Sequence, residues 1–223
     1  MKAMILAAGR GERLLPLTES TPKPLVEVAG QTLLGRHLER LARAGFTRAV
    51  INVSHLARKI TERFGDGSCV GMHIDWSHEP APLETAGGIA LARALLGPEP
   101  FLLVNSDIWC DFAFSTLRGL DLGNRLSHLV LVPNPEQHPA GDFTLHNGIV
   151  GNAPSPRYTY AGIAVISPRL VAGVAAGSRA QLAPLWRAAA EHGQVTGELY
   201  EGYWSDVGTP ERLSALEARL KET

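Results

Sequence analysis

The chain has 223 residues, 45% of them hydrophobic and 19% charged, with a formal net charge of -1 and a mean hydropathy of +0.01. Such a composition excludes a disordered or collagen-like chain, and the near-zero charge excludes the global basic field that nucleic acid or an anionic membrane attracts. No run is long and apolar enough to span a bilayer, and the N-terminal MKAMILAAG lacks the long hydrophobic region of a signal peptide, so the cytoplasm is the expected compartment.

Ala3–Ala7 reads as a short apolar strand that opens into a glycine loop. Leu33, Leu34, His37, Leu38 and Leu41 recur at helical spacing, with Gly45 at the expected cap. Arg48–Val53 is a second strand, and Ser54 is the expected N-cap of a helix carrying Leu56, Ile60 and Phe64. A strand over Met72–Trp76, a small-residue helix over Ile89–Leu96 and a continuous apolar strand over Phe101–Asn105 complete the first half. In the second half Leu129–Val132 and Tyr160–Ile166 read as strands, Asn147-Gly148 as a two-residue hairpin turn, and Thr209-Pro210 as a helix start. Strands alternating with helices predict a parallel sheet covered on both faces, in one mixed α/β domain over residues 1–223. Cys69 and Cys110 are far apart and form neither a disulfide framework nor a zinc spacing, and no histidine pair has ligand spacing.

The loop after the first strand, GRGERLLPLTESTPKPL, concentrates positive charge in a neutral protein. A loop at the carboxyl end of a strand in an open α/β sheet faces the ligand crevice. Gly9 and Gly11 let backbone N–H groups approach a phosphate, Arg13 and Lys23 supply cations, and Pro22 and Pro24 stiffen the chain on either side of Lys23. A solvated basic loop is the plain alternative. The P-loop GxxxxGK[ST] is absent, and Leu14 stands where the dinucleotide fingerprint needs glycine or alanine.

This stretch closely resembles the signature G-x-G-[ST]-R-[LM]-x-P-L-T-x-x-x-P-K-P of the sugar nucleotidyltransferases (nucleoside-diphosphate-sugar pyrophosphorylases), with Glu12 where the family often has Thr or Ser. The resemblance covers essentially the whole chain. It implies a Rossmann-like three-layer α/β/α fold with a mostly parallel mixed sheet, of the nucleotide-diphospho-sugar transferase type. The nucleotide half would span about residues 1–110 and the sugar half about 111–223. It implies that Ala8, Gly9, Gly11, Glu12 and Arg13 cradle a nucleoside triphosphate, that Lys23 meets the phosphates at the reacting centre, and that Lys23, Arg13 and Asp107 are the catalytic set.

Two further segments match. NSDI at the end of the strand Phe101–Asn105 is similar to the family's [NG]-x-D turn, and GYWSDVGTPERL to its W-x-D-[IVT]-G-T-x-E segment. Alone, either aspartate reads as a turn or cap residue; together, by resemblance, Asp107 and Asp206 are the ligands of Mg²⁺, an ion that takes one or two protein carboxylates beside substrate phosphates. Asp111 is assigned to a helix start at Phe112. HEPAPLETAGGIALA resembles the family's E-x-x-P-x-G-T-A-x-A, which implies that Glu79, Leu83, Thr85, Gly87 and Gly88 lie near the nucleobase. The resemblance also places Asn105, Asp142, Tyr160, Gly162, Glu198 and Ser205 around the sugar, although the family's Glu-Lys-Pro triplet is missing from GNAPSPRYTYAG.

The activity implied is attack of a sugar 1-phosphate oxygen on the α-phosphorus of a nucleoside triphosphate, with loss of pyrophosphate. UTP is the implied nucleotide; guanylyl or thymidylyl transfer to another hexose 1-phosphate stays open, as does a non-catalytic sensor on the same fold. The chain is expected to act as a monomer or small homo-oligomer, without nucleic acid or membrane partners.

Overall fold

The computed structural model describes residues 1–222. β1 (Ala3–Leu6) runs into the glycine loop and a single turn, α1 (Leu17–Ser20); a ribbon of β2 (Glu27–Val28) and β3 (Gln31–Thr32) then leads to α2 (Leu33–Arg43). β4 (Arg48–Val53), α3 (Ala57–Phe64) and β5 (His73–His78) follow, then α4 (Glu84–Leu91), α5 (Arg93–Leu96) and β6 (Phe101–Asn105). Beyond these come β7 (Ile108–Cys110), β8 (Ser127–Val132), the hairpin β9 (Thr144–His146) and β10 (Ile149–Gly151), and β11 (Thr159–Ile166). The chain ends with α6 (Ala183–Glu191), β12 (Val195–Leu199), β13 (Trp204–Asp206) and α7 (Pro210–Glu222).

Nine strands form one sheet in the order β5-β4-β1-β6-β11-β8-β12-β10-β9. β5, β4, β1 and β6 are mutually parallel, β8 and β12 are parallel to each other, and β11 is antiparallel to both β6 and β8. The sheet is therefore mixed and mostly parallel, as the family resemblance implies, with the antiparallel β11 departing from the wholly parallel sheet that strand–helix alternation predicts. Alternate residues of each strand feed opposite faces. Ala3 and Ile5 join the Leu34, Leu38 and Leu41 stripe of α2 and Ile60 and Phe64 of α3, while Met4 and Leu103 join Ile89 of α4 and Trp186 of α6. A third, smaller cluster packs Leu216 of α7 on Val26, Val28 and Trp109. It ties the chain's last helix to the segment that carries Lys23.

Several local expectations shift. Ser54 does not cap α3; Leu56 occupies that position with φ 52° and contributes no side-chain hydrogen bond. The single helix expected over Ile89–Leu96 is two pieces, with α4 starting at Glu84 and the break at Ala92. Asp111 starts no helix: the helical turn there begins at Phe114, and the Asp111 carboxylate accepts from Arg36 Nη2 at 3.1 Å. The Asn147-Gly148 hairpin is as expected, with both residues at positive φ, 48° and 76°.

Candidate active site

In the parallel part of the sheet, strand order reverses between β1 and β6, and a ligand crevice is expected at the carboxyl ends of such a pair. The loop after β1 and the Ser106–Asp107 turn after β6 border a cleft of about 1100 Å³ at this place. Its floor and walls include Ala8 to Arg13, Lys23, Asn52, Glu79, the stretch from Ala81 to Thr85, and Asn105 to Asp107. The loop is braced from beneath, where Thr18 Oγ1 donates to Gly11 O at 2.8 Å. A Cβ on Gly11 would lie 2.9 Å from Thr18 Cγ2 and 3.2 Å from Lys23 Cβ, so this close approach depends on glycine.

Lys23 Nζ lies 2.6 Å from Asp107 Oδ2, with the two side chains 11% and 29% exposed. Asp107 leads into β7, which pairs with β13 so that Asp206 stands opposite Ile108; Val207 N donates to Asp107 O at 2.7 Å. The ribbon thus brings together two aspartates that are 99 positions apart in sequence. Asp206 Oδ1 accepts from Arg212 Nη1 and, at 3.0 Å, from Gln137 Nε2. Among the described residues no group of three or more His, Cys, Asp or Glu side chains is placed to hold a metal. Two hard carboxylates beside a cleft that also holds Arg13 and Lys23 would fit Mg²⁺, an ion that takes one or two protein carboxylates and completes its shell with water and substrate phosphate.

A second cleft of about 330 Å³ shares Arg13, Asn105 and Asp107 with the first. Tyr160 and Gly162 line it, together with Gln137, His138, Asp206 and Arg212. A Cβ on Gly162 would stand 2.9 Å from Ile108 Cγ2 and 3.0 Å from Asn105 Cβ, so glycine lets β11 close on the end of β6. The Tyr160 ring packs edge-on to Trp186 at 4.8 Å; its hydroxyl is buried without a hydrogen-bond partner, and that burial, with Asp142 nearby, pushes its pKa up. Asp142 lies behind this wall rather than on it, accepting from Tyr160 N at 2.8 Å with His138 Nε2 3.0 Å away. Glu198 and Ser205 line neither cleft. Glu198 faces His128 across β12 and β8 at 3.4 Å, and Ser205 pairs with Trp109 in the ribbon.

At the far end of the first cleft, Leu83 and Thr85 line the wall, whereas Gly87 and Gly88 face protein. A Cβ on Gly87 would meet Ser178 O at 2.3 Å, because Ala86 and Gly87 N–H groups both donate to Ala180 O. That contact brings Gly177 and Arg179 to the cleft, and no sequence motif signalled them. Glu84 is a further residue that sequence reasoning missed, as are Asn52 in this cleft and Gln137, His138 and Arg212 in the second. Glu84 stands where the family pattern has glycine, adopts φ 62°, and its carboxylate lies 2.7 Å from Arg179 Nη2. A non-glycine residue held in the left-handed region costs about 1–3 kcal/mol, whereas an exposed ion pair returns roughly 0.2–1 kcal/mol. Glu84→Gly is therefore expected to raise the unfolding free energy by about 1 kcal/mol, read from the urea midpoint. A lowered midpoint would show that the carboxylate's contacts outweigh the backbone strain.

The fold, with a cleft lined by the glycine loop, Arg13 and Lys23 at the carboxyl ends of β1 and β6, has the form of a nucleotide-binding α/β protein. The family model for nucleotidyl transferases matches residues 2–121, and the chain belongs to that family. It is 47% identical to the N-acetylmuramate alpha-1-phosphate uridylyltransferase of Neisseria meningitidis serogroup B, over 98% of this chain and 97% of that relative. It is 32% identical to mannose-1-phosphate guanyltransferase beta-A of Xenopus laevis, over 94% of this chain and 62% of that one. A Bacillus anthracis protein solved in complex with a sucrose superposes with a TM-score of 0.88 over 100% of this chain and 96% of its own at 18% identity, a likeness of fold.

Proposed function

We propose that the protein transfers a uridylyl group from UTP to N-acetylmuramic acid 1-phosphate, releasing pyrophosphate, in the cytoplasmic recycling of peptidoglycan. The observation that carries this reading is the junction of the clefts: Arg13, Asn105 and Asp107 line both, and Lys23 is bonded to Asp107 there. A nucleotide in the larger cleft and a sugar phosphate in the smaller one would meet at these residues. The extended likeness to the Neisseria enzyme supports the base and sugar named. One domain serves both, with residues to about 110 forming most of the nucleotide cleft and later residues most of the sugar cleft. The 32% likeness to a mannose-1-phosphate guanyltransferase keeps guanylyl transfer as the second reading.

The attacking phosphate oxygen is an anion at neutral pH, so the reaction needs no general base; it needs anions brought into line against their repulsion. Arg13 and the loop amides hold and screen the triphosphate. Lys23, stiffened by its flanking prolines, offers its ammonium to the charge that builds on the phosphates in the transition state. Asp107 and Asp206 would hold Mg²⁺, which when bound neutralises phosphate charge. The test mixes the protein with Mg²⁺, each of UTP, GTP and dTTP, and a panel of sugar 1-phosphates, and reads pyrophosphate release. Turnover confined to UTP with N-acetylmuramic acid 1-phosphate is the expected outcome. Turnover only with another pair would replace the substrate assignment, and none with any pair would end the transferase reading.

A further inference from the structure

Beneath the nucleotide cleft lies a polar relay whose members are distant in sequence. Asn52, one residue before the end of β4, lies beside Leu6 of β1, is 4% exposed, and accepts from the Ala7 N–H at 2.9 Å through Oδ1. Its Nδ2 donates to Glu79 Oε1 at 2.7 Å, and Glu79 Oε2 accepts from Leu83 N at 2.9 Å. Glu79 is itself 5% exposed. The partners define the amide orientation, since a backbone donor needs the oxygen and a carboxylate needs the nitrogen.

One side of this relay is the first residue of the phosphate loop; the other is the loop that forms the opposite wall of the cleft. Gly88 covers it: a Cβ there would lie 2.5 Å from Glu79 Oε1 and 2.9 Å from Asn52 Nδ2. This chain has glycine where the family pattern carries alanine, so a departure in sequence coincides with the space the relay occupies. Both carboxylate oxygens of Glu79 are committed to protein partners at the cleft's floor.

We propose that Asn52 is a positioning residue that, through Glu79, sets the distance between the phosphate loop and the Ala81–Thr85 wall, and so the width of the nucleotide site. This rests on the nucleotide reading of that cleft.

A reversal of polarity tests it. Asn52→Asp replaces the amide donor with a second buried carboxylate, whose repulsion of Glu79 is relieved only by taking up a proton, and Glu79→Gln leaves one donor facing a donor whichever way its amide is turned. In N52D/E79Q every bond returns. The carboxylate introduced at position 52 accepts from Ala7 N and from the amide NH₂ introduced at position 79, and the oxygen of that amide accepts from Leu83 N. The readouts are the Kd for UTP with Mg²⁺ by calorimetry and the KM for the sugar 1-phosphate. Each single variant is expected to weaken UTP binding about tenfold or more with the sugar 1-phosphate KM within twofold of wild type, and the double variant to recover to within threefold.

UTP affinity within twofold of wild type in a folded Glu79→Gln protein overturns the relay. A double variant that folds yet binds no better than Glu79→Gln also overturns it, because Glu79 would then be needed for its charge at the ligand. Should a single variant fail to fold, the double variant alone decides. A wild-type protein that binds no nucleoside triphosphate removes the nucleotide reading itself, an outcome separate from either of these.

Discussion

Lys23→Ala should lower kcat by about 10²–10³-fold, the loss typical of removing one aimed group from a developing oxyanion, while changing the Kd for the nucleoside triphosphate far less. The split follows from where the ammonium sits. Lys23 is only 11% exposed, is 2.6 Å from Asp107, and stands at the meeting of the two clefts. A cation in so dry a place acts more strongly than one in water. The loop amides and Arg13 remain to bind the triphosphate in its absence, so ground-state affinity survives. Lys23→Arg should not restore activity, since a planar fork between two prolines cannot deliver a point charge to the same spot. Single-turnover rates at saturating nucleotide, with Kd measured separately, check this. A kcat within tenfold of wild type would remove Lys23 from the reacting centre.

The second large effect concerns stability in acid. His37 of α2 is 1% exposed, and neither ring nitrogen has a hydrogen-bond partner of normal geometry. Burial, then the neighbouring guanidinium groups of Arg40 and Arg36, lower its pKa from 6.5 to about 4, against weaker opposing contributions from the Ile108 backbone and Asp107. The folded pKa is depressed, so the unfolded chain binds the proton more tightly. The stabilisation is complete above pH 6.5 and is lost as pH falls through that value toward 4. The loss at pH 4 amounts to about 3 kcal/mol. Urea unfolding of wild type and His37→Leu at pH 7.5 and pH 4 isolates the contribution, because the carboxylates and the other histidines are common to both. The wild type should lose about 3 kcal/mol more than the variant over this range; equal losses would mean that His37 does not titrate as described.

The fold was largely readable from patterns of short range. Apolar runs such as Phe101–Asn105, the 3.6-residue stripe of α2 and the Asn147-Gly148 turn each state a local preference that the sheet and its two faces satisfy. The loop that borders the cleft was readable for the same reason: Gly9, Gly11, Arg13, Lys23 and its two prolines lie within 16 consecutive positions. Ser54 and Asp111 misled because a cap signal is only an offer. Leu56 entered the left-handed region, and the Asp111 carboxylate found Arg36 instead.

The candidate site was readable only in part. Glu79, by resemblance a residue near the nucleobase, has its oxygens bonded to Asn52 and Leu83. Arg179 reaches the cleft through backbone bonds between Ala180 and the start of α4, and Arg212 reaches Asp206 by the turn that opens α7. Local order, strand polarity and the charge of one loop follow from residues near one another in the chain, where backbone propensity and hydrophobic periodicity act. Which carboxylate bonds to a cation, which to an amide and which faces the cleft depends on groups tens of residues apart. Those pairings exist only once the sheet has brought β1, β4 and β6 side by side and the β7–β13 ribbon has set Asp206 next to Asp107.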